Sequence, residues 1–308
     1  MVKIKSYAKV NLTLEITGAE GGYHLLDSLV ANVDVFDLLV LKKKKGKLSS
    51  VTMKGMGSES IPPEKNNALK AAEAFSARFG TDGADITVYK NIPIGAGLGG
   101  SSADIVGVLN GMAKLYGVAD EGALKAIADE LGSDTGYMLT GGFARMRGRG
   151  EKVTPLPISE KLHFLLICPP SEVSAKACYQ KFDEQNEGKI PSGATEKCIA
   201  ALCAKKINEG GRYLMNDLFL SATQLNGNVK RAMDEALSFS PCGAVMTGSG
   251  SAVFAMFETK ELCEWAKSRY KGKYKTYVVS TVIPDYRSEK KSVWRNPFVL
   301  SDEEWENM

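Results

Sequence analysis

The sequence predicts an α+β protein of two domains with a ligand held between them. Three observations predict it. Strand and helix patterns are mixed within two blocks of chain. A glycine-rich loop in the segment Asn91 to Asp104 (N-I-P-I-G-A-G-L-G-G-S-S-A-D) joins a strand to a helix in the first block. A second glycine turn, Gly248-Ser249-Gly250-Ser251, precedes a strand–helix–strand pattern in the second. At 308 residues the chain is long enough for two modest domains. The expected division is 1–157, 158–284 and a tail of 285–308.

The elements follow in order. Val10, Leu12, Leu14 and Ile16 alternate with Lys9, Asn11, Thr13 and Glu15, the period of a strand. Its apolar set faces a core, so Lys9 and Asn11 project together from the other, half-solvated face. Gly18 to Gly22 marks a turn, and Val33, Val35 and Leu38 to Leu41 give more strand. The lysines at 42, 43, 44, 45 and 47 read as a solvated hairpin tip. Asn66 or Asn67 starts a helix that carries Ala68, Ala72, Phe75 and Phe79 and stops at Gly80. Ile86 to Tyr89 is a strand. Ile105, Val108, Leu109, Met112 and Tyr116 share one helical stripe after the glycine loop. Ala123, Leu124, Ile127 and Leu131 mark the next helix, with Gly132 as its C-cap and Ser133-Asp134 just beyond.

Pro155 and Pro157 mark the connection to the second block. There His163 to Ile167 is a buried strand ending at Pro169-Pro170, and Val229, Ala232, Met233, Ala236 and Leu237 form a helical stripe. Val253 to Phe257, Glu261 to Tyr270 and Tyr277 to Ile283 complete a strand, a helix and a strand. The tail after Pro284 is polar, with Trp294, Phe298 and Trp305 as anchors.

Composition narrows the function. A net charge of +3 is too small to argue for nucleic acid. The N-terminus reads directly into a strand rather than a signal peptide, and no apolar run reaches a membrane-spanning length. The six cysteines, at 168, 178, 198, 203, 242 and 263, form neither a Cys-x-x-Cys pair nor a zinc cluster. They read as reduced thiols of a cytoplasmic protein. Two histidines, His24 and His163, exclude a histidine-rich metal site.

The glycine loop carries the chemistry. Glycine lets backbone approach a ligand closely, and a helix N-terminus offers free N–H groups and a dipole that favour phosphate. Ser101 and Ser102 add hydroxyls that can cap the helix, touch phosphate or reach a metal ion. Gly95-x-Gly97-x-x-Gly100 also has the spacing of a dinucleotide fingerprint. That reading requires a buried parallel strand before it and an acidic residue ending a strand about 20 residues on. Here the preceding strand is amphipathic and closes on Pro93, while Asp120 and Glu121 open a helix. No Lys-Ser or Lys-Thr follows the glycines, so the Walker pattern is absent too.

The strand with Lys9 and Asn11 and the two glycine turns together resemble the GHMP kinase superfamily of ATP-dependent small-molecule kinases. Further segments resemble the branch acting on a cytidine diphosphate-linked methylerythritol. They are Ala8 to Leu12, Gly22-Tyr23-His24-Leu25-Leu26, Asn67, Ile92-Pro93, Leu131 to Asp134 and Gly148 to Glu151. Val173-Ser174 with Tyr179, Asn216-Asp217-Leu218 and Thr247 to Gly250 complete the set. The chain departs from that pattern in a glycine loop one residue shorter, in Ala103 preceding Asp104, in Thr135-Gly136-Tyr137, and in a longer tail.

The resemblance implies an N-terminal domain like domain 2 of ribosomal protein S5 and a C-terminal ferredoxin-like α/β sandwich. It implies ATP and Mg2+ as cofactors and a monomer or homodimer that acts on a small molecule, not on nucleic acid or membrane. Pro93, Gly95, Ala96, Gly97, Leu98, Gly99, Gly100, Ser101, Ser102 and Asn67 would hold ATP, with Ser101 or Ser102 near the metal. Asp134 would accept the substrate hydroxyl proton and Lys9 would pair with it. Asn11 would hold the erythritol end, Tyr23 and Tyr179 would sandwich the cytosine, His24 would read its edge, and Gly248 and Ser249 would complete the substrate site.

Overall fold

A computed structural model describes residues 1–55, 57, 66–185 and 190–286. The first block lays down β1 (Val2–Asn11), β2 (Thr13–Glu20), β3 (Tyr23–Lys43), β4 (Ser50–Gly55), α1 (Asn67–Phe79), β5 (Ala84–Lys90) and α2 (Gly100–Tyr116). It continues with α3 (Glu121–Leu131), α4 (Thr135–Thr140), β6 (Phe143–Gly148) and β7 (Lys152–Pro155). The spine is β3, whose 21 residues serve two sets of neighbours. Its first half pairs antiparallel with β2 and β6, and its second half with β1 and β5.

The first strand differs from expectation in a way that matters. It begins at Val2, and the chain is interrupted at Leu12, so the alternating run becomes two strands. Neither face is half-solvated: Lys9 and Asn11 are each 5% exposed. The cause is α2 packed on β1, with the glycine loop covering the other side through Lys9 N–H donating to Leu98 O at 3.0 Å. The lysine run is not a hairpin tip. It leads from β3 to β4, and β4 lies beyond β5, parallel to it. Lys47 instead donates to the carbonyls of Gly80 and Thr81 at 2.7 and 3.1 Å, where α1 ends.

Local chemistry sets the helix that flanks the loop. The Asn66 side chain accepts from Ala68 N–H at 3.0 Å, and Gly80 takes the left-handed φ of 67° that stops α1. Phe75 is fully buried beneath it. Truncating such a ring to alanine costs about 3–5 kcal/mol.

The second block contains β8 (His163–Cys168), α5 (Ala175–Asp183), α6 (Ala194–Cys203), α7 (Ile207–Arg212), β9 (Met215–Asn216) and α8 (Phe219–Leu225). It ends with α9 (Gly227–Leu237), β10 (Gly243–Met246), β11 (Val253–Phe257), α10 (Lys260–Arg269) and β12 (Lys275–Ser280). Its four-stranded antiparallel sheet has the order β10-β11-β8-β12, which is the ferredoxin-like order for strands taken in sequence. The last strand starts earlier than its apolar pattern and stops at Ser280. Thr281 then leaves the sheet to bridge Val33, and Val282 N–H donates to Asn32 O at 3.0 Å.

The blocks interlock. β9 pairs in parallel with β2, and one apolar core runs from Ile4 to Tyr286 across the expected boundary at 157. A second, smaller core lies under α9 and α10 and includes Leu165, Val253 and Ala266. Trp294, Phe298 and Trp305 lie outside the described residues.

Candidate active site

The glycine loop is shaped by what packs on it. Gly95, Gly97 and Gly99 take left-handed φ values of 67°, 77° and 72°. A Cβ at Gly97 would stand 2.2 Å from Thr247 O, and one at Gly99 2.9 Å from Lys9 Cγ. These glycines therefore admit the neighbouring strand and the second glycine turn, besides leaving backbone bare. The side chains between them turn inward: Ala96 and Leu98 are each 1% exposed. Only the backbone of these two residues is left for a ligand.

Two cavities meet at this loop. A smaller one of about 270 Å³ lies between the loop, Lys90 and the Asn66-Asn67 start of α1. Asn67 Nδ2 donates to Ser101 Oγ at 2.5 Å on its wall. A larger cleft of about 1170 Å³ runs from the loop past Lys9 and Asp134 to Tyr23, His24 and Tyr179. Gly97, Gly99 and Ser102 line both. Pro93, Gly95 and Gly100 line only the smaller cavity; Asn11, Gly248 and Ser249 line only the larger cleft.

Lys9 and Asp134 come together on the large-cleft side. Lys9 Nζ stands 3.1 Å from Asp134 Oδ2 and donates to Asn11 Oδ1 at 2.6 Å. Asn11 Nδ2 in turn donates to Ser28 Oγ at 2.9 Å, and Asn11 N–H to Thr247 Oγ1 at 3.0 Å. The amine is buried and the carboxylate is 32% exposed, so the pair presents its acid to the cleft. Asp134 occupies the N-cap position of α4 without capping it, which leaves its carboxylate to Lys9. Gly132 is the C-cap of α3 as expected, its N–H donating to Ala128 O at 3.3 Å, with an extended φ of 178°. The departure Thr135-Gly136-Tyr137 is structural. Tyr137 is fully buried and donates to Gly142 O at 2.7 Å, while Gly136 lets α4 approach Asp129.

The far end of the cleft departs from the expected pair of tyrosine rings. The ring stacked on Tyr179 is His24, 4.7 Å away at an angle of 24°. His24 Nε2 is 2.6 Å from Asp183 Oδ1. Tyr23 is 58% exposed and carries the Arg149 guanidinium 4.3 Å above its ring. Burial, then the charge of Asp134, raises the Tyr179 phenol above its ordinary pKa and keeps it neutral.

Sequence reasoning missed three groups here. Arg149 had no signal beyond its place in the segment Gly148 to Glu151, and Asp183 had none. The third is a buried cluster beside the loop, where Lys90 Nζ donates to Asp37 Oδ2 at 2.5 Å and to Asp104 Oδ2 at 2.7 Å. Burial alone would lower the Lys90 pKa, but the two carboxylates together hold it above its ordinary value. A lysine at the end of a strand is ordinary in sequence; only the fold brings it to residues 53 and 14 positions away.

This fold and this site define a small-molecule kinase of the GHMP type. The family pattern described as GHMP kinases N terminal domain matches residues 66–144, and that described as GHMP kinases C terminal matches 198–275. A 4-diphosphocytidyl-2-C-methyl-D-erythritol kinase of Caldicellulosiruptor saccharolyticus is 36% identical over 282 residues, covering 90% of this chain and 96% of that protein. One from Carboxydothermus hydrogenoformans is 36% identical over 254 residues, covering 82% and 86%. A crystal structure of 4-(cytidine 5'-diphospho)-2C-methyl-D-erythritol kinase superposes with a TM-score of 0.75 at 27% identity, covering 91% of this chain and 98% of that one. A homoserine kinase from Cytophaga hutchinsonii shares the fold, with a TM-score of 0.73 at 21% identity over 92% and 95% of the two chains. The chain belongs to the GHMP kinases, and within them to the 4-diphosphocytidyl-2-C-methyl-D-erythritol kinase family.

Proposed function

We propose that this chain transfers the γ-phosphoryl group of ATP to the 2-hydroxyl of 4-diphosphocytidyl-2-C-methyl-D-erythritol. The products are the 2-phosphate and ADP, in non-mevalonate isoprenoid precursor biosynthesis. The observation that carries the reading is the glycine loop standing as the common wall of two cavities, with Lys9 and Asp134 on the far side of it. A kinase needs that plan, because its two substrates must meet in line at one phosphorus atom.

In this reading ATP takes the smaller cavity, with its phosphates along the loop from Gly95 to Ser102 and its remainder toward Asn67 and Pro93. Backbone N–H groups and the start of α2 supply the anion site. Asn11 and the Gly248-Ser249 turn hold the erythritol end. Asp134 orients the acceptor hydroxyl and takes its proton late in the transfer, while Lys9 balances the charge that gathers there.

The stacked pair of Tyr179 and His24 is the platform for the cytosine, with Tyr23 at the mouth. Base stacking on an aromatic ring is worth about 1–3 kcal/mol.

The residues present fit Mg2+. Among the described residues no three His, Cys, Asp or Glu side chains gather into a metal site, so an ion here would be held chiefly by phosphate. The Ser102 hydroxyl and the Asp134 carboxylate line the cleft where such an ion would stand, and Ser101 is the other hydroxyl at hand. Bound there, the ion neutralises phosphate charge.

Six free cysteines fit a reducing, cytoplasmic setting. Among the described residues no helix is long and apolar enough to cross a membrane.

The test is ADP release on a panel of acceptors. The cytidyl substrate should be turned over at least about a hundredfold more efficiently than homoserine or mevalonate, because only it fills the Tyr179 end of the cleft. Comparable rates on all three would overturn the substrate assignment and leave a kinase of other specificity.

A further inference from the structure

The loop between β5 and α2 holds three left-handed glycines. Its middle is supported by single hydrogen bonds, Lys9 N–H to Leu98 O at 3.0 Å and Ala252 N–H to Ala96 O at 3.2 Å. Its ends are held differently. At the β5 end, Asn91 N–H and Ile92 N–H both donate to Asp37 Oδ1, at 2.6 and 2.9 Å. The other oxygen of Asp37 takes the Lys90 ammonium at 2.5 Å. The same ammonium reaches Asp104 Oδ2, on the first turns of α2, at 2.7 Å. Lys90 thus bridges the two ends of the loop.

All three groups are buried, with Lys90 2%, Asp37 0% and Asp104 5% exposed. Burying a charge is costly, and apolar residues of similar shape often stabilise such a site as well or better. Stability is therefore a weak reason for this cluster. Geometry is a stronger one, since a carboxylate that accepts two backbone N–H groups and an ammonium fixes direction as well as distance. Asp104 also lines the smaller cavity, and its Oδ1 is a buried oxygen with no hydrogen-bond partner among the described residues. Asp104 is thus committed to the ammonium by one oxygen alone.

We propose that Asp104 and Asp37 are positioning residues for the nucleotide. Through Lys90 they tie the two ends of the glycine loop into one geometry, and so set the affinity for the triphosphate. The inference rests on the assignment of ATP to the loop. It does not rest on the identity of the acceptor.

Asp104→Leu tests it, because it cuts the tie to α2 and leaves Lys90 and Asp37 as a balanced pair. Direct titration with MgATP should show at least a tenfold loss of affinity. The KM for ATP should rise in parallel, while kcat at saturating ATP stays within about threefold and the KM for the cytidyl substrate within about twofold. Asp104→Asn, which can still accept from Lys90, should recover affinity to within about threefold of wild type. If Asp104→Leu does not fold, Asp104→Ser is too short to reach Lys90 and supplies the same readout. Wild-type ATP affinity in a folded Leu or Ser variant would overturn the proposal. So would equal losses for both substrates, or an Asn variant as weak as Leu. The titration needs no acceptor, so a wrong acceptor leaves it readable; an absence of ATP binding in the wild type would instead sink the loop assignment.

Discussion

The two ends of this site are built on opposite plans. At the loop, the side chains of Ala96 and Leu98 are in the core, which leaves their backbone bare, and the flanks are held by the buried side chains of Lys90, Asp37 and Asp104. At the Tyr179 end, the working groups are side chains on β3, α5 and the turn after β6. They are held by a ring stack, a cation over a ring and the 2.6 Å contact between His24 Nε2 and Asp183 Oδ1. In the proposed reading the backbone end takes phosphate, which every kinase of this type must hold. In the same reading the side-chain end takes the part of the acceptor that differs from one kinase to the next. The two ends therefore differ in what a substitution does. Substitutions at the first end should damage the common step, and those at the second should move specificity.

Gly97→Val should break the distinction outright. At a φ of 77° a β-branched residue is strained, and its Cβ would stand 2.2 Å from Thr247 O. Thr247 also accepts from Asn11, so the loop and the acceptor side shift together. ATP affinity measured by titration should fall by about two orders of magnitude, equivalent to about 2.7 kcal/mol. Unchanged affinity in a folded variant would contradict the loop's role.

Tyr179→Ala should sharpen it. Loss of one stacking face worth about 1–3 kcal/mol raises the KM for the cytidyl substrate roughly 5- to 150-fold. The KM for ATP should stay within about twofold. Equal losses for both substrates, with a large fall in melting temperature, would make Tyr179 a packing residue instead.

The smallest effect concerns pH. Burial, with the charge of Asp37 adding to it and Lys90 opposing, pushes the Asp104 carboxyl up to about 7. An unfolded aspartate titrates near about 4. Between those values the folded protein holds the extra proton, so through this group stability falls as pH rises from about 4 to about 7, then levels. Asp104→Asn removes that titration. Its melting temperature relative to wild type should climb as pH is raised from about 5 to about 8; a difference that stays flat would show Asp104 ionised throughout.

Most of the loop end was legible in the sequence, because its signals are local. Four glycines, two serines and an amphipathic helix lie within one stretch, and Asn66 and Gly80 punctuate α1 where their chemistry requires. The pairing of Lys9 with Asp134 was expected only through the resemblance, since no spacing relates positions so far apart; the fold sets them 3.1 Å from each other. The solvated face expected for β1 failed because a period of two reports alternation, not what covers each side. The hairpin at the lysine run failed for a related reason. Whether β4 returns against β3 or lies beyond β5 is decided by long-range pairing. At the other end, Tyr23, His24 and Tyr179 came from resemblance. Their partners Arg149 and Asp183 are surface charges whose meaning appears only when α5 meets β3.

In the proposed mechanism nucleotide and acceptor occupy separate cavities and meet at Asp134. One pair of measurements on Asp134→Asn tests it most directly, namely MgATP affinity by titration and ADP release with saturating cytidyl substrate. Affinity should stay within about threefold of wild type while turnover falls at least about a hundredfold, as expected for loss of the proton acceptor. Turnover above about a tenth of wild type, or affinity lost in step with turnover, would contradict that mechanism.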